Sequence, residues 1–189
     1  MSGMIMVTGG SRSGKSTYAE ELCILKGENL AYIATANLYD AEMEHRVAIH
    51  KARRGPRWDS FEIPLHFDSF WGELEKYDFI LLDCLTMLIF NMMFDSGYDL
   101  DDPKALDAEV YKDVEDQVLS SLKFLFNKIA SLNATFVIVT NEIGLGIVPE
   151  NVLSRLYRDI VGKANQYLAE MSSEVILVVS GIPLKIKGS

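Results

Sequence analysis

One short segment sets the narrowest limits on the fold: Met4-Ile5-Met6-Val7-Thr8-Gly9-Gly10-Ser11-Arg12-Ser13-Gly14-Lys15-Ser16. Its apolar first part reads as a buried strand. The remainder matches the spacing G-x-x-x-x-G-K-[ST], a phosphate-binding loop. Glycines let successive backbone N–H groups turn inward around phosphate oxygens, where a Cβ would block the turn. Lys15 is placed to reach the β- and γ-phosphates, and the Ser16 hydroxyl to ligate Mg²⁺. A helix from Ser16 to about Lys26 would aim its N-terminal dipole at the anion. A chance glycine loop is the bland alternative, but the strand before and the helix after supply the context that the motif requires. The expected ligand is a nucleoside triphosphate.

The rest of the chain extends the same pattern. Leu30–Thr35, Phe79–Asp83, Phe136–Thr140 and Val175–Ser180 are short, continuously apolar runs, as expected of strands covered on both faces of a parallel sheet. Between them lie periodic segments. The clearest places Leu106, Val110, Val114, Val118, Leu122, Leu125, Ile129 and Leu132 at steps of three and four, an amphipathic stripe for docking on a sheet. Alternation of this kind predicts an α/β fold, a three-layer P-loop NTPase-like domain with a mainly parallel central sheet. Ligands then sit at the carboxyl ends of the strands.

At 189 residues the expectation is a single domain spanning 1–189. The 49% apolar and 24% charged composition excludes a disordered or fibrous chain. A net charge of −9 argues against nucleic acid as a partner. Cys23 and Cys84 form no Cys-x-x-Cys pair and no zinc spacing, which suits a reducing compartment. The first residues carry no charged-then-apolar leader pattern. The most apolar stretch, Phe79–Phe94, is interrupted by Asp83, Thr86 and Asn91 and is too short to cross a bilayer. A cytoplasmic protein without a transmembrane segment is expected.

Three further features bear on chemistry. Asp83 ends the run Phe79-Ile80-Leu81-Leu82; such an acid is usually a cap or turn residue, but with a phosphate loop upstream a magnesium ligand is favoured. Residues 45–58 hold Arg46, Lys51, Arg53, Arg54 and Arg57 and no acid. On a helix, Arg46, His50, Arg53 and Arg54 would share one face. Guanidinium forks suit phosphate oxygens, and crowded cations would keep His50 neutral with a lone pair free to attack. A solvated basic face with an incidental histidine remains the simpler reading of these residues alone. Finally, Thr140-Asn141-Glu142-Ile143-Gly144-Leu145-Gly146-Ile147-Val148-Pro149 puts polar groups at a strand end, then a glycine-containing loop, with Pro149 opening a helix. From its residues, this loop can be said only to abut the same sheet edge as the phosphate loop. The acidic run Asp99–Asp116 reads as a solvated face.

Taken together, these motifs resemble the bifunctional adenosylcobinamide kinase/adenosylcobinamide-phosphate guanylyltransferases of cobalamin biosynthesis. The likeness spans nearly the whole chain: Val7–Ser16, Tyr32–Thr35, Glu42-Met43 leading to Arg46 and His50, Leu81–Thr86, Thr140–Asn151, Arg158-Asp159 with Asn165-Gln166, and Val179-Ser180-Gly181. The resemblance implies that His50 carries a covalent guanylyl group, which reverses the simpler reading of that residue. It places nucleotide contacts on Gly9–Ser16, on Thr35, Ala36 and Asn37, on Lys51, Ala52, Arg53 and Arg54, on Glu62 and on Asp83, with Ser16 and Asp83 toward Mg²⁺. It implies ATP and GTP as substrates, adenosylcobinamide and its phosphate as acceptors, and a homotrimer. Lys15 would assist γ-phosphoryl transfer, and His50 would attack the α-phosphate of GTP. Two other readings compete: a plain phosphate-loop kinase in which His50 merely contacts phosphate, and a nucleotide-dependent switch that transfers nothing.

Overall fold

A computed structural model describes residues 3–36, 55–102 and 106–188. Seven strands form one sheet: β1 (Gly3–Thr8), β2 (Leu30–Ala34), β3 (Trp58–Glu62), β4 (Phe79–Asp83), β5 (Thr135–Val139), β6 (Glu174–Val179) and β7 (Ile182–Lys187). Their order across the sheet is β3-β2-β4-β5-β1-β6-β7. The first six run parallel and β7 closes the sheet antiparallel to β6. The helices are α1 (Lys15–Lys26), the single turn α2 (Trp71–Leu74), α3 (Leu85–Phe94), α4 (Ala108–Ala130) and α5 (Val152–Met171). The mainly parallel three-layer architecture expected from the sequence is present.

Alternation along each interior strand divides its side chains between two apolar layers. Met4, Met6, Ile33, Ile80, Leu82, Phe136 and Ile138 face one core with α3, α4 and α5. Ile5, Val7, Tyr32, Leu81, Val137 and Val139 face the other with Ala19 and Cys23 of α1. Burial on both faces is why the interior strands read as unbroken apolar runs. The expected stripe of α4 is realised, with Val114, Val118, Leu122, Leu125 and Ile129 buried.

Local signals fix the helix ends. Asp107, from the acidic run, caps α4 by accepting from the N–H groups of Glu109 and Val110, the cap geometry that satisfies otherwise orphaned donors. In α5 the start differs from expectation. Asn151 is the cap, its side chain accepting from the N–H of Ser154, so Pro149 lies outside the helix rather than in its first turn. The Pro149 carbonyl instead accepts from Arg155 Nη1 at 2.9 Å.

The two strands that the apolar-run criterion passes over are β3 and β7, and both are edges. In Trp58-Asp59-Ser60-Phe61-Glu62 the polar residues Asp59, Ser60 and Glu62 are exposed, and β7 is exposed along its length. Pro183 in β7 fits an edge position, where the missing donor costs little. No helix among the described residues is long and apolar enough to cross a membrane.

Candidate active site

The registers align Glu62, Ala34, Asp83, Val139 and Val7 in one row near the carboxyl end of the sheet. This row positions the site. β5 lies between the phosphate-loop strand β1 and the Asp83 strand β4, which puts the Val7 and Asp83 backbones about 10 Å apart at ordinary strand spacing. Glu62 sits on the edge strand, two strands further out, at about 19 Å from Val7.

The loop itself is shaped by backbone that only certain residues tolerate. Gly9 has φ +155°, and a Cβ there would lie 2.4 Å from the Val178 carbonyl oxygen and 2.7 Å from Ser13 Oγ. Gly14, the residue before α1, has φ +94°, and Arg12 adopts φ +57° despite its side chain. Alternation of hand along the chain turns N–H groups toward a common centre, which makes an anion-binding concavity. Residues Ser11 to Thr17 line a cavity of about 420 Å³. The loop is held from outside as well: the Gly181 N–H donates to the Ser13 carbonyl at 2.8 Å, and the Glu142 N–H to that of Gly9 at 3.1 Å.

Lys15 is buried, and its Nζ donates to the Gly10 carbonyl at 2.9 Å. Burial holds the ammonium below its ordinary pKa, while the nearby Cys84 and Asp83 pull it back upward. An anion in the cavity would satisfy that amine. Two buried hydroxyls at the same end of β1, Thr8 Oγ1 and Ser13 Oγ, have no hydrogen-bond partner. Orphaned donors beside a loop of inward N–H groups suit a polyphosphate.

Asp83 is half-buried, and the Tyr32 hydroxyl donates to its Oδ2 at 3.1 Å. Its carboxylate and the half-buried Ser16 hydroxyl offer hard oxygen donors, the type that Mg²⁺ selects. No group of three or more His, Cys, Asp and Glu gathers among the described residues. A pair of protein oxygens completed by phosphate and water is the usual arrangement for Mg²⁺ at a nucleotide, so the residues present fit that ion.

Beside Asp83 lies a polar lattice that sequence reasoning largely missed. The Thr35 hydroxyl, fully buried, donates to the Cys84 carbonyl at 2.7 Å and accepts from the Cys84 N–H at 2.9 Å. It clamps β2 to the end of β4, and Ala36, the next residue, is half-buried. Asn141 Nδ2 donates to Thr86 Oγ1 at 3.0 Å, and the Tyr157 hydroxyl donates to the Thr86 carbonyl at 3.0 Å. Asn165 accepts from the Thr140 hydroxyl at 2.7 Å and donates to the Asn141 carbonyl at 3.1 Å. Burial, with the Asp83 carboxylate adding to it, pushes the Cys84 thiol up to about 11, so it is not a nucleophile near neutrality. Tyr32 could have been suspected, since a tyrosine in a buried apolar strand must place its hydroxyl on a partner. The sequence-expected Asn37, His50, Lys51, Ala52, Arg53 and Arg54 lie outside the described residues.

A parallel sheet bearing a phosphate loop, with a lysine and a strand-end carboxylate at its carboxyl edge, defines a P-loop nucleotide-binding enzyme. Comparison narrows the class. A model of the family described as cobinamide kinase / cobinamide phosphate guanyltransferase matches residues 5–186, and the chain belongs to that family. It is 42% identical over 185 residues to the bifunctional adenosylcobalamin biosynthesis protein CobU of Escherichia coli K12, covering 97% of this chain and 99% of that one. It is 37% identical to the corresponding protein CobP of Pseudomonas aeruginosa, covering 97% and 96% of the two chains. The solved structure of the flagellar accessory protein FlaH from Methanocaldococcus jannaschii aligns at 15% identity and a TM-score of 0.47, over 99% of this chain and 79% of that one. That likeness is too distant to add to what the strand order and phosphate loop define.

Proposed function

We propose that the protein, acting as one domain over residues 1–189, phosphorylates adenosylcobinamide with a nucleoside triphosphate and then converts the product to adenosylcobinamide-GDP. The observation that carries this reading is the conjunction of the 42% identity over nearly the whole chain with an intact phosphate-loop cavity beside Asp83. Both ATP and GTP fit the chemistry of the loop, which grips phosphates rather than the base.

In the first reaction the acceptor's hydroxyl oxygen forms a bond to the γ-phosphorus as the bond to the β,γ-bridging oxygen breaks. The nucleoside diphosphate leaves, and the hydroxyl proton passes to solvent or a nearby base. Lys15 and the loop N–H groups stabilise charge on the transferring oxygens. Ser16 and Asp83 would hold Mg²⁺, which supplies charge neutralisation at the phosphates when bound.

In the second reaction the neutral imidazole of His50 attacks the α-phosphorus of GTP, forming a P–N bond and expelling pyrophosphate. A phosphate oxygen of adenosylcobinamide phosphate then attacks that phosphorus, the P–N bond breaks, and the imidazole is released. Splitting one displacement into two is the advantage of a covalent intermediate. Lys51, Arg53 and Arg54, adjacent in sequence to His50, supply cations for the polyphosphate, and Asn37 and Glu62 are assigned to the nucleotide by the same family likeness. A homotrimer is part of this reading.

The test is incubation with Mg²⁺ and GTP labelled at the α-phosphate, then denaturation. Protein-bound, acid-labile and alkali-stable label that is lost in His50→Ala is the expected result. Wild type that stays unlabelled while γ-phosphoryl still reaches adenosylcobinamide would leave a kinase only and remove His50 from the mechanism.

A further inference from the structure

The loop after β5 has a built stem and an apolar tip. At its start, the Glu142 N–H donates to the Gly9 carbonyl of the phosphate loop at 3.1 Å. Glu142 Oε1 accepts from the Gly144 N–H at 3.0 Å, and Ile143 packs against the larger core. At its end, Arg155 Nη1 donates to the carbonyls of Pro149 and Glu150 at 2.9 and 2.6 Å, and Asn151 caps α5. Between these anchors, Leu145, Ile147 and Val148 are 89%, 95% and 61% exposed. Single exposed apolar side chains need no explanation, but three on one pinned loop do. Polar residues would serve better if the loop only joined β5 to α5.

We propose that Leu145, Ile147 and Val148 form the platform on which the apolar face of the corrinoid acceptor rests during phosphoryl transfer. The inference rests on the proposed function and assigns the acceptor's place within it. Three observations favour this occupant. The stem is one hydrogen bond from Gly9, so the loop leaves the sheet at the carboxyl edge that carries the phosphate loop. The cavity, at about 420 Å³, admits a polyphosphate but not a macrocycle, so the body of the acceptor must lie outside it while its hydroxyl reaches in. A corrin ring presents methyl-studded faces within an amide rim, which is the chemistry that exposed leucine, isoleucine and valine can cover. A second exposed apolar set, Ile182, Leu184 and Ile186, starts beside Gly181 at the same edge but runs back along β7, antiparallel to β6, so that only Ile182 stays near the phosphate loop.

The experiment compares wild type with the Leu145→Ser/Ile147→Ser double variant and with Ile147→Ser alone, whose nearly full exposure makes folding indifferent to it. Three quantities are measured: the affinity of the nucleotide-loaded protein for adenosylcobinamide by equilibrium dialysis, the affinity for nucleotide, and the sedimentation-derived mass. The expected result is a loss of adenosylcobinamide affinity of about tenfold or more in the double variant, because the apolar contact area is forfeited. Ile147→Ser should show a smaller loss, and nucleotide affinity and mass should be unchanged in both. Unchanged adenosylcobinamide affinity would overturn the proposal. So would a change in mass accompanying the loss, which would make the loop a contact between copies of the chain. Wild type that binds no adenosylcobinamide at all would refute the proposed function itself, a result distinct from either.

Discussion

Replacing Tyr32 by phenylalanine removes one oxygen and tests whether Asp83 is held for a metal. Tyr32 is buried, with its ring edge-on to Trp58 at 6.2 Å between centroids, so phenylalanine keeps the packing. The lost contact is the 3.1 Å donation to Asp83 Oδ2. A hydrogen bond to a charged acceptor is worth about 1.5–3 kcal/mol, and a length of 3.1 Å argues for the lower end. If about 1.4 kcal/mol of that orients the carboxylate, the Mg²⁺ concentration giving half-maximal activity should rise about tenfold. The maximal rate at saturating Mg²⁺ should stay within about twofold, since Lys15 and the loop are untouched. Loss of about 1.5 kcal/mol should also lower the melting temperature by about 3–6 °C for a chain of this size. The assay is a Mg²⁺ titration of nucleotide binding by calorimetry, run beside the same titration of phosphoryl transfer. An unchanged Mg²⁺ dependence in both, with melting lowered as expected, would show that Tyr32 stabilises the fold without positioning Asp83, and the reasoning would fail.

Gly9→Ala should lower nucleotide affinity or turnover by about 100-fold, because relieving a 2.4 Å approach to the Val178 carbonyl displaces the loop by a fraction of an ångström or more; nucleotide titration checks it. Asn165→Ala leaves the buried Thr140 hydroxyl and the Asn141 carbonyl without their partner, at a cost of about 2–4 kcal/mol for the two groups, read by urea denaturation. Asp78 accepts from the N–H groups of Asn29 and Glu28, which hold its carboxyl below the ordinary 3.8. A folded-state value lower than the unfolded one stabilises above the unfolded value and ceases to do so as pH falls through the folded one. Asp78→Ala should therefore be less stable than wild type near pH 7, with the difference shrinking below about pH 3.8; denaturation at both ends of that range checks the sign.

Much of the fold can be read in the chain because burial on both sides leaves an unmistakable mark. β1, β2, β4, β5 and β6 are interior strands and were each legible as apolar runs. β3 and β7 escaped because neither is a continuous apolar run: Asp59, Ser60 and Glu62 interrupt β3, and Pro183, Lys185 and Lys187 alternate with the apolar residues of β7, as an edge strand allows. The site was legible to the extent that its parts are contiguous: Gly9 to Ser16 specify their own conformation, and Asp83 follows from them. Asn141 was legible as a polar group at the strand edge and Asn165 only through the family resemblance, but their partners, and Tyr157, were not, because those partners lie 24 to 71 residues away and only the packing of α5 on the sheet brings them together. Thr35 was expected at the nucleotide, yet its hydroxyl is committed to Cys84. That commitment is invisible until β2 and β4 are known to be neighbours.

On the proposed function, one chain adds first a phosphate and then a nucleotide to the same acceptor. The most direct measurement incubates the protein with adenosylcobinamide, Mg²⁺ and GTP labelled in parallel at the γ- or the α-phosphate, and separates the corrinoid products over time. Label from the γ-position should appear first, on a singly phosphorylated corrinoid, and remain when α-label joins it in a later product that carries GMP. A corrinoid that never acquires γ-label, or that acquires α-label without it, would contradict the account.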